Sequence, residues 1–226
     1  MGLLNVAYGD LPLAGWLMLA AAGFDLIDGL AARLLRVESP KGQQLDSLSD
    51  LVSFGVLPGV ILVLLVFKTN SNWATAAYFQ NAPWLGLFAF LMPMAAAYRL
   101  ARFNLATDSS KGFKGLPAPA AGILIGTLPL VMEYDLLVIG YRSIYLTPYV
   151  LNPWLLLGLM TTIPLLMVSN LSFFNLKFEH YGWQGNQVKW SFLGMSSVLV
   201  ALLFFAAVPV LIGLYVLISL TMKNAT

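Results

Sequence analysis

The stretch Phe24-Asp25-Leu26-Ile27-Asp28-Gly29-Leu30-Ala31-Ala32-Arg33, resumed after a short loop by Gly42-Gln43-Gln44-Leu45-Asp46-Ser47-Leu48-Ser49-Asp50, sets four carboxylates among apolar residues. At 3.6 residues per turn, Asp25, Asp28, Gly29, Ala32 and Arg33 fall on one helical stripe. Asp46 and Asp50, four apart, share a face of the next helix. A short connection makes the two helices antiparallel neighbours, so their acidic faces can meet. Each carboxylate in a spanning segment costs roughly 2.5–3.5 kcal/mol at the helix centre and less near its ends. Four together also repel, so a positive partner is required. Arg33 and Lys41 offset part of the charge. All-oxygen ligation of Mg²⁺ or Mn²⁺ is the stronger expectation, and two such ions bridged by carboxylates form a clamp for phosphoryl chemistry. The small residues Gly29, Ala32 and Gly42 leave room for a nucleotide diphosphate to reach the backbone; close helix packing is the plainer reading of any one of them.

The rest of the chain explains why these acids are out of place. Of 226 residues, 59% are hydrophobic and only 10% charged, against about 25% charged in soluble domains. The expectation is an all-α, polytopic membrane bundle forming a single domain, 1–226. With apolar runs of about 20 residues per crossing, spans are expected at 11–35, 45–67, 84–103, 118–139 and 150–170. The long run 188–222, interrupted by Pro209, is expected to make two more by turning at 207–209. That is about seven spans, preceded by an N-terminal half-span at 1–8. The start has no basic region ahead of its apolar residues, so no cleavable signal peptide is expected.

Charge distribution orients the bundle. If the 36–44 loop faces the cytoplasm, ten of the twelve basic residues lie on that side, and only Lys68 and Arg142 lie outside. Trp73, Tyr78 and Trp84 flank one outer loop and Tyr141, Tyr145, Tyr149 and Trp154 the other, as interfacial aromatics do. A net charge of +2 argues against nucleic-acid binding. The absence of cysteine excludes disulfides and thiolate chemistry. The single histidine, His180, rules out a multi-histidine centre and reads as a solvated loop residue. Ser47, Ser49 and Ser53 have no histidine near them in sequence, which argues against a covalent serine intermediate.

The pattern Asp25-x2-Asp28-Gly29-x2-Ala32-Arg33-x8-Gly42-x3-Asp46-x3-Asp50 resembles the signature of the CDP-alcohol phosphotransferases. The resemblance implies a mainly six-helix catalytic core, usually homodimeric, with a cavity open to the cytoplasmic side of the cell membrane. It also implies two divalent metal ions (Mg²⁺ or Mn²⁺) on Asp25, Asp28, Asp46 and Asp50, and a CDP group beside Asp25, Gly29, Arg33 and Gly42. Asp50, with Asp46 second to it, becomes the candidate base for the acceptor hydroxyl. Arg99-Leu100-Ala101-Arg102-Phe103-Asn104, the run from Phe113-Lys114-Gly115-Leu116-Pro117 through Ala121, and Met167-Val168-Ser169-Asn170 followed by Lys177 are similar to the phosphatidylserine synthase branch. The implied reaction takes CDP-diacylglycerol and L-serine to phosphatidylserine and CMP. Arg99, Arg102 and Lys114 are then candidates for holding the lipid phosphate or the serine carboxylate, although basic residues also gather at such helix ends for topological reasons. Asn104 is a candidate donor to serine or a cap for its helix. Set against that branch, the chain enters its first span partway, at about Gly2. Two rivals remain: another acceptor such as glycerol 3-phosphate or inositol, and a transporter binding cations at the acidic cluster.

Overall fold

The computed structural model describes residues 1–35, 39–69, 83–105, 115–134, 136–139, 142–171, 173 and 186–223. A short α1 (Gly2–Ala7) leads into α2 (Leu11–Leu35). Asp10 starts α2 by accepting from the Leu13 amide at 3.0 Å, satisfying an end-group donor that the helix itself leaves unpaired. Ser39 does the same for α3 (Pro40–Leu51), accepting from Gly42 N at 3.1 Å, with Pro40 opening the helix. A π-helical turn, Val52–Val56, then joins α3 to α4 (Leu57–Lys68) without a break. The composite helix Pro40–Lys68 has 29 residues, about 44 Å at 1.5 Å per residue. It therefore outruns a hydrocarbon layer of about 30 Å, and its polar first turns lie at one end.

A 3-10 segment, Pro83–Phe90, precedes α5 (Leu91–Leu105). The chain then forms α6 (Ala118–Glu133), a hairpin of β1 (Leu136–Ile139) and β2 (Arg142–Tyr145), and the short α7 (Thr147–Val150). The strands pair antiparallel with Leu136 opposite Tyr145. Next comes α8 (Pro153–Val168), capped by Asn152 Oδ1, which accepts from Trp154 N at 2.9 Å. Last come α9 (Gln187–Leu203) and α10 (Ala207–Lys223), joined by a 3-10 turn, Phe204–Ala206.

The core is apolar and shared. Met18 of α2, Phe54 of the π turn, Ile61 of α4, Met92 of α5, Ile125 of α6 and Met160 of α8 are all buried. Helix α2 crosses α6 at close range. A Cβ on Gly15 would lie 2.5 Å from the Gly126 carbonyl oxygen, so only glycine permits this approach. In contrast, α9 buries no residue, and Leu26, Ile27, Leu30 and Leu34 of α2 are exposed. Such outward apolar surface suits lipid and not water.

Among the described residues, three stretches are long and apolar enough to cross a membrane: Leu11–Ala32, Pro40–Lys68 and Gln187–Ser219. The third folds back on itself. Phe192 and Tyr215, whose ring centroids are 6.2 Å apart, would be roughly 35 Å apart along a straight helix. Phe204, with φ 52°, makes the reversal. The turn thus comes at 204–206, ahead of the expected 207–209, because Pro209 is tolerated in the first turn of α10. Three further boundaries differ from expectation. The 118–139 run stops being helical at Glu133, and its tail becomes a strand; a short β-branched run carries no periodicity that separates the two. The 150–170 span starts at Pro153, after the Asn152 cap. The 45–67 span begins at Pro40, because hydropathy discards polar turns that a cap and a proline nevertheless nucleate. Tyr145, Tyr149 and Trp154 are exposed as interfacial aromatics would be, whereas Trp73, Tyr78 and Tyr141 lie outside the described residues.

Candidate active site

The stripe of α2 and the face of α3 do meet. Asp25, Asp28 and Asp46 each offer a carboxylate oxygen, all within 4.8 Å of one another. Asp50, one turn beyond Asp46, lies against Asp25 within side-chain hydrogen-bonding reach. Mg²⁺ takes oxygens at about 2.1 Å, so opposite ligands of one octahedral ion stand about 4.2 Å apart. The three oxygens, all within 4.8 Å of one another, are spaced on that scale. The donor set is entirely oxygen and therefore fits a hard divalent cation. Rigid helix backbone supplies both sides of the cluster, and the π turn directly after α3 sets the rotation of Asp46 and Asp50 relative to the buried Phe54. Such turns often occur at functional positions.

Beside the cluster opens a cavity of about 960 Å³, large enough for a nucleotide diphosphate with a small acceptor. Of the expected residues, Asp28, Gly29, Gly42, Asp46, Asp50, Arg99 and Asn104 line it. Among the described residues, no atom lies within 4 Å of a Cβ built on Gly29, and one on Gly42 meets only the Ser39 hydroxyl. These glycines therefore border open space and are not spent on helix packing. Asp25 belongs to the carboxylate cluster. Arg33 lies in the last turns of α2, and Lys114 lies outside the described residues.

The far wall comes from α5. Arg99 is largely buried, faces Asp50 and Tyr215, and carries a buried Nε without a hydrogen-bond partner among the described residues. Arg102 is not among the lining residues; its Nη2 donates to Asn170 Oδ1 at 2.7 Å. Asn104 Nδ2 donates to Ser47 Oγ at 2.9 Å, tying α5 to the acid-bearing helix α3. The segment before α6 is fastened to the end of α8. Gly115 N donates to Leu171 O at 2.9 Å, and Leu116 N donates to Leu166 O at 3.0 Å. Gly115 has φ +79° and a would-be Cβ against Met167 O, so no other residue fits there without strain. The described part of the first motif, 115–121, and the segment 166–171, remote in sequence, are thus fastened together.

Three residues of this wall escaped the sequence reading as site elements. The sequence offers Ser47 only as a nucleophile, although its place between Asp46 and Asp50 on one helix is visible. Asn170 was part of a motif but had no partner assigned. Tyr215, stacked on Phe173 at 5.5 Å, gave no sequence signal at all, because only the α9–α10 reversal brings it to Arg99.

The fold and site together define a helical membrane protein whose clustered carboxylates suit a divalent cation beside a nucleotide-sized cavity. The chain belongs to the CDP-alcohol phosphatidyltransferase family, whose model matches residues 2–164. It is 30% identical to the CDP-diacylglycerol--serine O-phosphatidyltransferase of Helicobacter pylori strain J99, across 96% of this chain and 83% of that protein. It is similar to proteins of the same description from Bacillus subtilis, at 30% identity over 60% of this chain and 71% of that one. The corresponding yeast protein, from Saccharomyces cerevisiae, is 36% identical over 50% of this chain and 39% of its own length.

Proposed function

We propose that the chain transfers the phosphatidyl group of CDP-diacylglycerol to L-serine, yielding phosphatidylserine and CMP. The observation that carries this reading is the convergence of Asp25, Asp28 and Asp46 beside a cavity whose opposite wall presents Arg99 and Asn104. The choice of serine rests on similarity to relatives described as serine O-phosphatidyltransferases, one of them aligned along nearly the whole chain.

Asp25, Asp28, Asp46 and Asp50 would hold two divalent ions, Mg²⁺ or Mn²⁺. When bound, the ions neutralise charge on the pyrophosphate and on departing CMP. Gly29 and Gly42 leave space for the nucleotide to reach the backbone, with Asp25 and Arg33 at its edge. Asp50 takes the proton of the serine hydroxyl as that oxygen attacks the β-phosphorus, and the bond from phosphorus to the CMP oxygen breaks. A carboxylate next to a cation is a weak base, so positioning of the acceptor supplies much of the acceleration. Arg99, Arg102 and Lys114 bring positive charge toward the lipid phosphate and the serine carboxylate.

The reading extends to topology. Seven crossings by one domain, 1–226, put the site at the cytoplasmic face of the cell membrane, and the distribution of basic residues supports this orientation. A homodimer agrees with the exposed apolar faces of α2 and α9. The cation-transporter alternative has less support, because the acids sit at one end of the helices beside a cavity and do not form a path across. The test is an acceptor screen. Purified protein in detergent, labelled CDP-diacylglycerol and Mg²⁺ or Mn²⁺ are offered L-serine, glycerol 3-phosphate or inositol. CMP release and labelled phosphatidylserine with serine alone support the proposal; product with another alcohol instead refutes the acceptor assignment.

A further inference from the structure

Ser47 sits between two of the site's acids, yet its hydroxyl points at neither of them in the hydrogen-bond pattern. It donates to the Gln43 carbonyl one turn back, at 3.0 Å. A serine hydroxyl has one proton, so toward α5 Ser47 Oγ acts as an acceptor. The group that meets it at 2.9 Å is therefore the NH₂ of Asn104 and not its carbonyl. The pair of contacts thus agrees with the amide orientation in which Nδ2 faces Ser47. With Nδ2 committed to α3, Oδ1 is the end left for the cavity that both residues line. Among the described residues nothing donates to Oδ1. Both side chains are half-buried, and the contact joins two rigid helices.

We propose that Ser47 is a positioning residue for acceptor recognition: it locks the Asn104 amide so that Oδ1 receives the ammonium group of an amino-alcohol acceptor. The inference rests on the serine-transferase reading above and extends it to a specificity determinant. The wall has complementary chemistry. Arg99, which lines the cavity, is a donor only and suits a carboxylate or phosphate, whereas an ammonium needs an oxygen. The cluster carboxylates would hold the cations, so the neutral Asn104 carbonyl could meet that need without competing for metal. Without Ser47 the amide can rotate and present its NH₂ to the ammonium, donor against donor.

The test compares wild-type protein, Ser47→Ala and Ser47→Thr at saturating CDP-diacylglycerol and Mn²⁺. The readouts are KM and kcat for L-serine, and the inhibition constant of 3-hydroxypropanoate, which is serine without its amino group. Loss of one orienting hydrogen bond should raise the serine KM of Ser47→Ala about tenfold. The kcat, the Mn²⁺ requirement and the 3-hydroxypropanoate constant should stay near wild type, and Ser47→Thr should restore the KM. An unchanged serine KM in Ser47→Ala overturns the proposal. So does a parallel weakening of 3-hydroxypropanoate, which would mark a merely structural role. A wild-type protein that makes no phosphatidylserine overturns the functional reading and this inference with it; the Ser47→Ala result overturns this inference alone.

Discussion

Gly122→Ala is a small change with a large expected consequence. A Cβ at this position of α6 would lie 2.8 Å from Phe54 Cδ1, 3.0 Å from Phe54 Cα and 3.1 Å from Phe54 Cβ. Carbon atoms rest at about 3.5–4.0 Å, so the two segments must part by roughly 0.5–1 Å. Rotating the Phe54 ring relieves only the first contact, because the second is with backbone. Two effects compete. Alanine is about 1 kcal/mol better than glycine within a helix, whereas forcing a methyl into a packed core costs about 1–3 kcal/mol. Since the clash involves backbone, the upper part of that range applies, and a net loss of about 1–2 kcal/mol is expected. Phe54 lies in the π turn four residues after Asp50, so the same displacement moves the catalytic face of α3. Misplacement by about 1 Å can cost on the order of 100-fold in rate. Gly158→Ala is the matched control, because no described residue lies within 4 Å of its Cβ; helix propensity alone then makes it neutral or slightly stabilising. Thermal unfolding in one detergent should show Gly122→Ala lowered by roughly 2–8 °C, with kcat/KM reduced, while Gly158→Ala matches wild type in both. A Gly122→Ala protein as stable and as active as wild type would show that the packing of α6 on the π turn does not hold α3 in register.

Asp50→Asn and Asp46→Asn should each reduce CMP release by about 10²–10⁴-fold, while the metal-free proteins melt no lower than wild type, because each removes one negative charge from a repelling cluster. A chelator should abolish turnover, and Mg²⁺ or Mn²⁺ should restore it; at 100 times its dissociation constant the ion should add about 2.7 kcal/mol of stability, visible as a rise in Tm. Asn170→Ala should release Arg102 and raise the KM for serine about three- to tenfold, with under about 1 kcal/mol lost in stability because the bond is exposed.

Much of the site could be read from spacing. Asp25 and Asp28 three apart, and Asp46 and Asp50 four apart, had to share helical faces, and a short loop had to bring those faces together. Helix geometry is local, so these relations needed no knowledge of the rest of the chain. The same locality made 11–35 readable to the residue, since Asp10 and Pro12 mark the start of α2 and its apolar run fills the remainder. It failed where a local signal is ambiguous or outweighed. Leu136–Ile139 is as apolar as the helix before it, and only pairing with Arg142–Tyr145 decides that it is a strand. The polar turns Pro40–Gln44 look like loop to a hydropathy scale, but the Ser39 cap makes them helix.

What the amino-acid order determined by itself is therefore the inventory: a helical chain apolar enough for a membrane, with four acids on two adjacent faces. Which residues oppose those acids was decided only by the tertiary structure. Asn104 meets Ser47, Arg102 meets Asn170, and Arg99 faces Tyr215 because α5, α8 and the reversed α9–α10 pair dock where glycines and core side chains let them fit. Periodicity governs the direction of a side chain from its own helix axis. The distance and rotation between two axes depend on how whole surfaces interlock, and that is a property of many residues at once.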